Sequence, residues 1–451
     1  MERAQESTAL RSAATPLSWR VTGQYIPVLA LLLGVFLIVR NLAGDGASTP
    51  SPATVDPGYY ERLNENIAFF EGRVVETNDS LSYNRLTQLY LQRQRTTGDV
   101  SDIARAEISA TRSLEAAPGA YPGLVNMGYV RLAQHDFDAA LTAANDAVAR
   151  LPREFDAYAV RGDALLALGR YDEAGDDYRL LLEKAPGPAA YARNASIAEV
   201  YGNTDIAAQF WQAAIDSDSQ DAPEASAWAR VQLANLLFNT GELGDAEREF
   251  ETALRVFPGY GAAEAGLGHF AAAKGDDGEA IERYERAVGA LPIPEYVAAF
   301  GDVLARDGQT AQAEQQFALL RAMGQLYEAN GVRNDLTVIL FELDHGGEAG
   351  GLVERARLAY EERPSLAAAD TYGWALYRAG RLDEARAKAD EALRLGTKDP
   401  LYLFHAAVVA DAQGDTAAAR GLLERLNELN AAFSVRHSEW VAELTVKAGL
   451  E

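Results

Sequence analysis

Side chains able to move protons or hold metals are scattered in this sequence. The five histidines, His135, His269, His345, His405 and His437, lie 32 or more residues apart, without the close spacing that sets two imidazoles around one metal ion. One adjacent pair, Asp344-His345, has the residue types for general acid–base work, and it stands beside the glycine-rich run GGEAGG at 346–351. That run equally describes a turn between two helices, which is the reading adopted. GYGAAEAGLG at 259–268 superficially suits a phosphate-cradling loop, but no strand precedes it, as that fingerprint requires. The triplets at Asn78 and Asn194 fit the glycosylation sequon, a pattern too common by chance to credit. The absence of cysteine removes thiolate nucleophiles, disulfides, Cys-ligated zinc and Cys lipidation. The expectation is a protein that is not an enzyme and needs no cofactor and no metal.

Charge narrows the partners. The chain of 451 residues carries a net −25, and beyond residue 40 the balance is −27, from 64 acids against 37 bases. Such a field repels the phosphates of DNA and RNA, so no nucleic-acid partner is expected. Acid pairs such as Asp172-Glu173 and Asp276-Asp277 stand where helices would begin, where carboxylates complement the helix dipole.

The elements that must position these residues follow from an internal beat. Ala106, Ala140, Ala174, Ala207, Ala246, Ala280, Ala313, Leu352, Ala385 and Ala419 follow one another at steps of 34, 34, 33, 39, 34, 33, 39, 33 and 34. Twelve residues before the marker stand Gly128, Gly162, Gly268, Gly301 and Gly373, inside a helical run, where glycine costs about 1 kcal/mol unless two helices must approach closely. Five before it stand Gly169, Gly202, Gly241, Gly275, Gly308, Gly380 and Gly414, placed to end a first helix in the left-handed conformation. Four after it come Tyr178, Trp211, Phe250, Tyr284 and Phe317. Twelve after it Pro118, Pro152, Pro186, Pro258 and Pro292 stop a second helix. The two 39-residue steps place extra residues near 217–227, expected as a loop, and near 321–336, expected to lengthen a helix.

With RYDEA (170–174), YGWALYRAGRLDEA (372–385) and GHFAAAKGDDGEAIERYERAVGALP (268–292), this grammar closely resembles the tetratricopeptide repeat over about residues 80–430. The fold class the resemblance implies is all-α: a right-handed superhelical solenoid of about ten helix-turn-helix repeats. In that family the first helices line a concave groove. Carried over, its slots hold Val125, Tyr129 and Leu132; Asp156, Asp163 and Leu166; Trp228, Val231, Asn235 and Phe238; Glu295, Asp302 and Arg306; and Phe341, Asp370, Trp374, Tyr377, Arg378, Phe404 and Asp411. Tyr129, Asp163, Trp228, Asn235, Phe238, Asp302, Arg306, Phe341, Asp370, Arg378 and Asp411 are the candidate partner-binding residues; Trp374 and Tyr377 suit the core better. Aromatics beside carboxylates suit an extended or helical segment of apolar and basic character. The Lys that grips acidic chaperone tails in that family is missing from its slot, which here holds Val, Ala, Thr, Asp or Phe, so that mode is disfavoured.

The N-terminus adds a membrane partner. Residues 21–39 carry no charge and include YIPVLALLLGVFLIV, about the length that crosses a hydrocarbon core. Trp19, Tyr25, Arg20 and Arg40 bracket the span as interface residues do. Arg40-Asn41-Leu42 after the run gives a poor signal-peptidase site, so an anchor is favoured over a cleaved signal. Arg3, Arg11 and Arg20 ahead of it favour an N-terminus in the cytoplasm and a body outside. The expected organisation is an arm at 1–20, a transmembrane helix at 21–39, a Pro/Gly-rich tether at 40–57 reaching ~23 Å, a solenoid at 58–430 and a capping helix at 431–451. Stretch 58–76 reads as an unpaired half-repeat. Together these describe a single-pass, membrane-anchored scaffold for a protein or peptide partner. The alternative is a secreted or cytoplasm-facing regulatory or assembly factor with the same binding mode.

Overall fold

The computed structural model describes residues 57–217, 223–330, 332 and 335–450. The expected arm, membrane span and nearly all of the tether lie outside the described residues. Among the described residues no helix is long and apolar enough to cross a membrane.

These residues form 22 helices and no strand. A leading helix, α1 (Pro57–Thr77), precedes ten antiparallel pairs: α2 (Ser80–Thr97) with α3 (Ser101–Ala116), α4 (Tyr121–Ala133) with α5 (Phe137–Arg150), and α6 (Asp156–Ala167) with α7 (Tyr171–Lys184). Then come α8 (Pro188–Val200) with α9 (Thr204–Asp216), α10 (Pro223–Asn239) with α11 (Leu243–Val256), and α12 (Gly261–Ala273) with α13 (Asp277–Ala290). The last four pairs are α14 (Pro294–Arg306) with α15 (Thr310–Ala329), α16 (Leu336–Asp344) with α17 (Ala349–Glu362), α18 (Leu366–Arg378) with α19 (Leu382–Ala392), and α20 (Pro400–Ala412) with α21 (Thr416–Glu428). A closing helix, α22 (Ser438–Lys447), ends the fold. Stretch 259–268, the apparent phosphate loop, is the start of α12.

The ten marker residues are all buried near the start of second helices, between 0 and 4% exposed. Second helices end two residues before Pro118, Pro152, Pro186, Pro258 and Pro292, because a proline ring excludes the preceding residue from helical backbone. The mid-helix glycines do bring helices together. A Cβ on Gly162 would meet Tyr178 Cε1 at 2.4 Å, and one on Gly301 would meet Phe317 Cε1 at 2.3 Å. Glycine in the first helix thus accepts the aromatic ring of the second. Where the turn slot holds His135 instead of glycine, the backbone still adopts a φ of 58°.

The two long steps resolve differently. The second extends α15 to 20 residues, burying Leu326. The first, expected as a loop, is helical from Pro223 onward, in the 17-residue α10.

Successive turns of the superhelix touch. Asn430 Nδ2 donates to the Phe238 carbonyl at 2.9 Å, and Lys398 Nζ lies 3.3 Å from Thr204 Oγ1, across separations of 192 and 194 residues. One turn therefore closes in between five and six repeats. At the leading end, Tyr59 packs edge-on against Phe257 at 5.1 Å, so α1 covers the next turn as well as its own neighbour.

Candidate functional site

A turn this tight brings the inner faces of the first helices together around a chamber of about 940 Å³. Its walls come from α10, α12, α14, α16, the start of α20 and residues 433–437, with Gln94 and Arg95 of α2 at the rim. Of the candidate partner-binding residues, Trp228, Asn235, Asp302 and Phe341 line it, as do Val231 and Glu295 of the other groove slots. Trp228 is 42% exposed and meets Trp211 edge-on at 5.5 Å. Phe341 is buried, stacked on His345 at 4.3 Å. Asp302 accepts from His345 Nε2 at 2.9 Å.

The other candidates are held within the protein. Asp163 is gripped by Arg193 at 2.7 and 2.8 Å and by the Tyr178 hydroxyl at 2.9 Å. Tyr129 lies beside them, its hydroxyl pushed upward in pKa by burial. Arg306 is spent on Asp277 and the Ala272 carbonyl. Phe238 is buried against His269 at 4.6 Å. Asp370 is 2% exposed and bonds His405 Nδ1 at 2.9 Å. Arg378 is exposed in the last turn of α18. Asp411 pairs with Lys447 at 2.7 Å.

Asp344 and His345, adjacent in sequence, do not pair with each other. Asp344 turns to the C-terminal segment, 3.3 Å from His437 Nε2, and accepts from Trp374 Nε1 at 2.8 Å. Burial alone would raise its pKa, but His437, His405 and Trp374 outweigh burial and leave it lowered. Ser434 Oγ lies 3.1 Å from His437 Nδ1, which completes a serine–histidine–aspartate chain. Serine and histidine stand three residues apart at the head of α22, and the chain they form with Asp344 ties that segment to the end of α16. Glu348 of the GGEAGG run caps α17, accepting from Gly350 and Gly351 amides. Asn194 of the second sequon is buried, donating to the Tyr178 and Ala190 carbonyls.

The closing helix reaches further than an end cap would. It touches α21 through Arg420 and the Ala448 carbonyl, but its aromatic side lies on the inner face of the last repeats. Trp440 packs on Trp374, Tyr377 and Phe404 at centroid distances of 5.8, 6.5 and 5.3 Å. Phe433 meets Phe404 at 6.0 Å, and Arg436 donates to the Asp344 carbonyl at 2.8 Å. An end cap needs only one apolar side. The aromatic inner face of α18 and α20 offers a second surface to cover, and 433–447 covers both.

Sequence reasoning missed this segment's destination and several chamber residues: Glu224, Tyr260, Tyr296, Asp399 and His405. Asp399 is an N-cap, accepting from Leu401 N at 2.9 Å, and burial raises its pKa to about 6. Burial also raises Glu295, whose carboxylate accepts from Thr337 Oγ1 at 2.8 Å. The repeat register marks first-helix faces, but Glu224, Tyr260, Tyr296 and Asp399 lie at helix starts outside it, and His405 stands in α20 one position past the groove slot of Phe404.

A family model described as the tetratricopeptide repeat matches residues 125–189, 231–292 and 372–431. Each block falls on consecutive helix pairs of the stack. No curated protein sequence matches the chain. Among solved structures, a tetratricopeptide repeat protein from Parabacteroides merdae ATCC 43184 shares 18% identity, covering 55% of this chain and 97% of that one, with a TM-score of 0.39. Yeast Tom70 shares 13% identity over 94% of this chain and 96% of its own, with a TM-score of 0.34. YrrB, described as a TPR protein with an unusual peptide-binding site, shares 19% identity over 44% and 97%, with a TM-score of 0.30. The three matched blocks of this chain are tetratricopeptide repeats, and they lie within one continuous stack of ten helix pairs.

Proposed function

We propose that this protein is a binding scaffold, tethered to a membrane by residues 21–39, whose inner face receives an apolar, basic helical segment of a partner protein. One observation carries the reading: a segment whose inward side chains are apolar and basic, with Glu439 and Glu443 turned to the exposed side, already lies there. Residues 433–447 present Phe433, Arg436, His437, Trp440 and Lys447 to an inner face built of Trp374, Tyr377, Phe404, Asp344 and Asp411. This is the apolar and basic chemistry that aromatics beside carboxylates should select. The chain's own tail then competes with the partner, so affinity is set by the difference between the two occupants. The reading of binding rather than catalysis is supported by what these side chains do: they close ion pairs and stacks around a helix. The anchor reading is supported by the charge-free run at 21–39 and its flanking arginines, and the arginine bias favours a solenoid outside the cytoplasm.

The test is crosslinking and affinity capture of the full-length protein in its own membrane, beside a Trp440→Ala variant that weakens the tail. The expected result is a specific partner whose recovery rises when the tail is weakened. Recovery of no specific protein, or recovery indifferent to Trp440, would remove the proposal. A reporter active only outside the cytoplasm, fused to the C-terminus, tests orientation separately.

A further inference from the structure

The chamber itself has a chemistry that the partner reading does not use. Its wall carries the carboxylates Glu224, Glu295, Asp302, Asp344 and Asp399. Asp302 and Asp344 have histidine partners at 2.9 and 3.3 Å. Among the described residues, Glu224, Glu295 and Asp399 are bonded only by neutral donors: the Tyr59 hydroxyl, the Thr337 hydroxyl and a backbone amide respectively. Of the two arginines on the wall, Arg436 is held by the Asp344 carbonyl and Arg95 sits exposed at the rim. A concave site so supplied with carboxylates is short of positive charge.

A second, independent observation points the same way. His405 lines the chamber at 2% exposure, stacked on Trp374 at 4.1 Å. Its Nδ1 faces Asp370 at 2.9 Å, while its Nε2 has no hydrogen-bond partner. A neutral imidazole that gives its Nδ1 proton to a carboxylate presents Nε2 as a bare acceptor. A buried acceptor without a donor has lost its water and gained nothing in return. What it lacks is an N–H group.

Position adds a length. Glu295 opens α14 and Asp399 caps α20, three repeats apart in a superhelix that closes in between five and six. Both line the chamber, and three repeats are roughly half of such a turn. Tyr260, Tyr284 and Tyr296 on the wall supply aromatic faces for methylene groups and for cation–π contact. The volume of about 940 Å³ lies within the range of small-molecule sites.

We infer that the chamber binds a linear aliphatic amine carrying at least two ammonium groups, one answered by Glu295 and the other by Asp399, with His405 Nε2 accepting an N–H. The ligand is a free polyamine or the lysyl side chains of a bound segment; both offer the same ammonium chemistry. The site does not depend on tail displacement, because residues 433–437 form one of its walls when the tail is seated.

Isothermal titration of the full-length protein in lipid nanodiscs tests this, with spermidine and a capped dilysine peptide as separate probes and 1,4-butanediol as the uncharged control. Saturable one-to-one binding is expected for spermidine, for the dilysine peptide, or for both, with none for the diol. The tighter probe identifies the source of the amine. Glu295→Gln and Asp399→Asn should each weaken binding at least tenfold. Both keep their hydrogen-bond geometry, so unchanged or raised melting temperatures would show that the fold is intact. The exposed Glu285→Gln should leave binding unaltered. Non-saturating heats, or equal weakening by Glu285→Gln and Glu295→Gln, would mean that amines merely condense on an acidic surface, and the proposal would fall.

Discussion

The hydroxyl of Tyr171 accepts the backbone N–H of Leu366 at 2.7 Å, across 195 residues of chain. Tyr171 opens the second helix of one repeat, and Leu366 opens the first helix of a repeat one superhelical turn later. A solenoid held only by neighbours is quasi-one-dimensional. This contact and its relatives give the stack long-range closure, and closure is what deepens a groove into a partly open chamber.

Closure can be broken at a single atom. Gly202 has a φ of 69°, and a Cβ there would lie 2.1 Å from the Gly396 carbonyl oxygen of the next turn. Gly308 has a φ of 84° with open space around it. Gly308→Ala should cost about 1–2 kcal/mol, the strain of left-handed backbone alone. Gly202→Ala should cost clearly more in denaturant melts, and its radius of gyration by X-ray scattering should grow as the turns part. Equal costs and unchanged scattering would show that the turns do not bear on one another.

Within a repeat, Gly162 and Tyr178 make the equivalent test. A methyl on Gly162 would strike the ring of the fully buried Tyr178. Although alanine is the better helix former by about 1 kcal/mol, Gly162→Ala should destabilise by about 1–3 kcal/mol through overpacking. A stabilised variant in thermal melts would contradict the packing.

Glu199 makes stability depend on pH. Burial raises its carboxyl to about 7, while Trp211 Nε1, donating to it at 2.7 Å, pulls the other way. A carboxyl raised in the folded state binds its proton more tightly there than in the unfolded chain. Its contribution is therefore fully present below the ordinary value of 4.5 and is lost as pH rises through about 7. Glu199→Gln keeps the acceptor for Trp211 without the charge. It should flatten the fall in stability between pH 4.5 and 7 and gain about 1–3 kcal/mol above pH 7. Urea melts across that range are the measurement; parallel curves for both proteins would refute it.

The tail should open alone. Trp440 is half-buried against Trp374 and Phe404, so Trp440→Ala should cost about 1–3 kcal/mol. The loss should fall on amide protection in residues 433–447, while α6 to α8 keep theirs, because the segment is attached by its inner-face contacts rather than by the repeat stack. Uniform loss of protection would make the tail part of one global unit.

The sequence by itself determined the repeat. Alanine at a 34-residue beat, glycine where an aromatic ring must enter, glycine at turns and proline after second helices are local requirements, each met within one pair of helices and so written within one stretch of chain. The ten pairs, their ends and the lengthening of α15 were legible for that reason. What only the tertiary structure decided is where the inner faces go. A small rotation per repeat accumulates over about 195 residues before Tyr171 meets Leu366, and no local pattern records that sum. It carries Asp344 past its neighbour His345 to His437, whereas Asp163, Arg306 and Asp370 are spent on partners in the adjacent repeat, about 30 residues away. The same accumulated rotation brings Glu295 and Asp399, 104 residues apart in sequence, into the lining of one chamber.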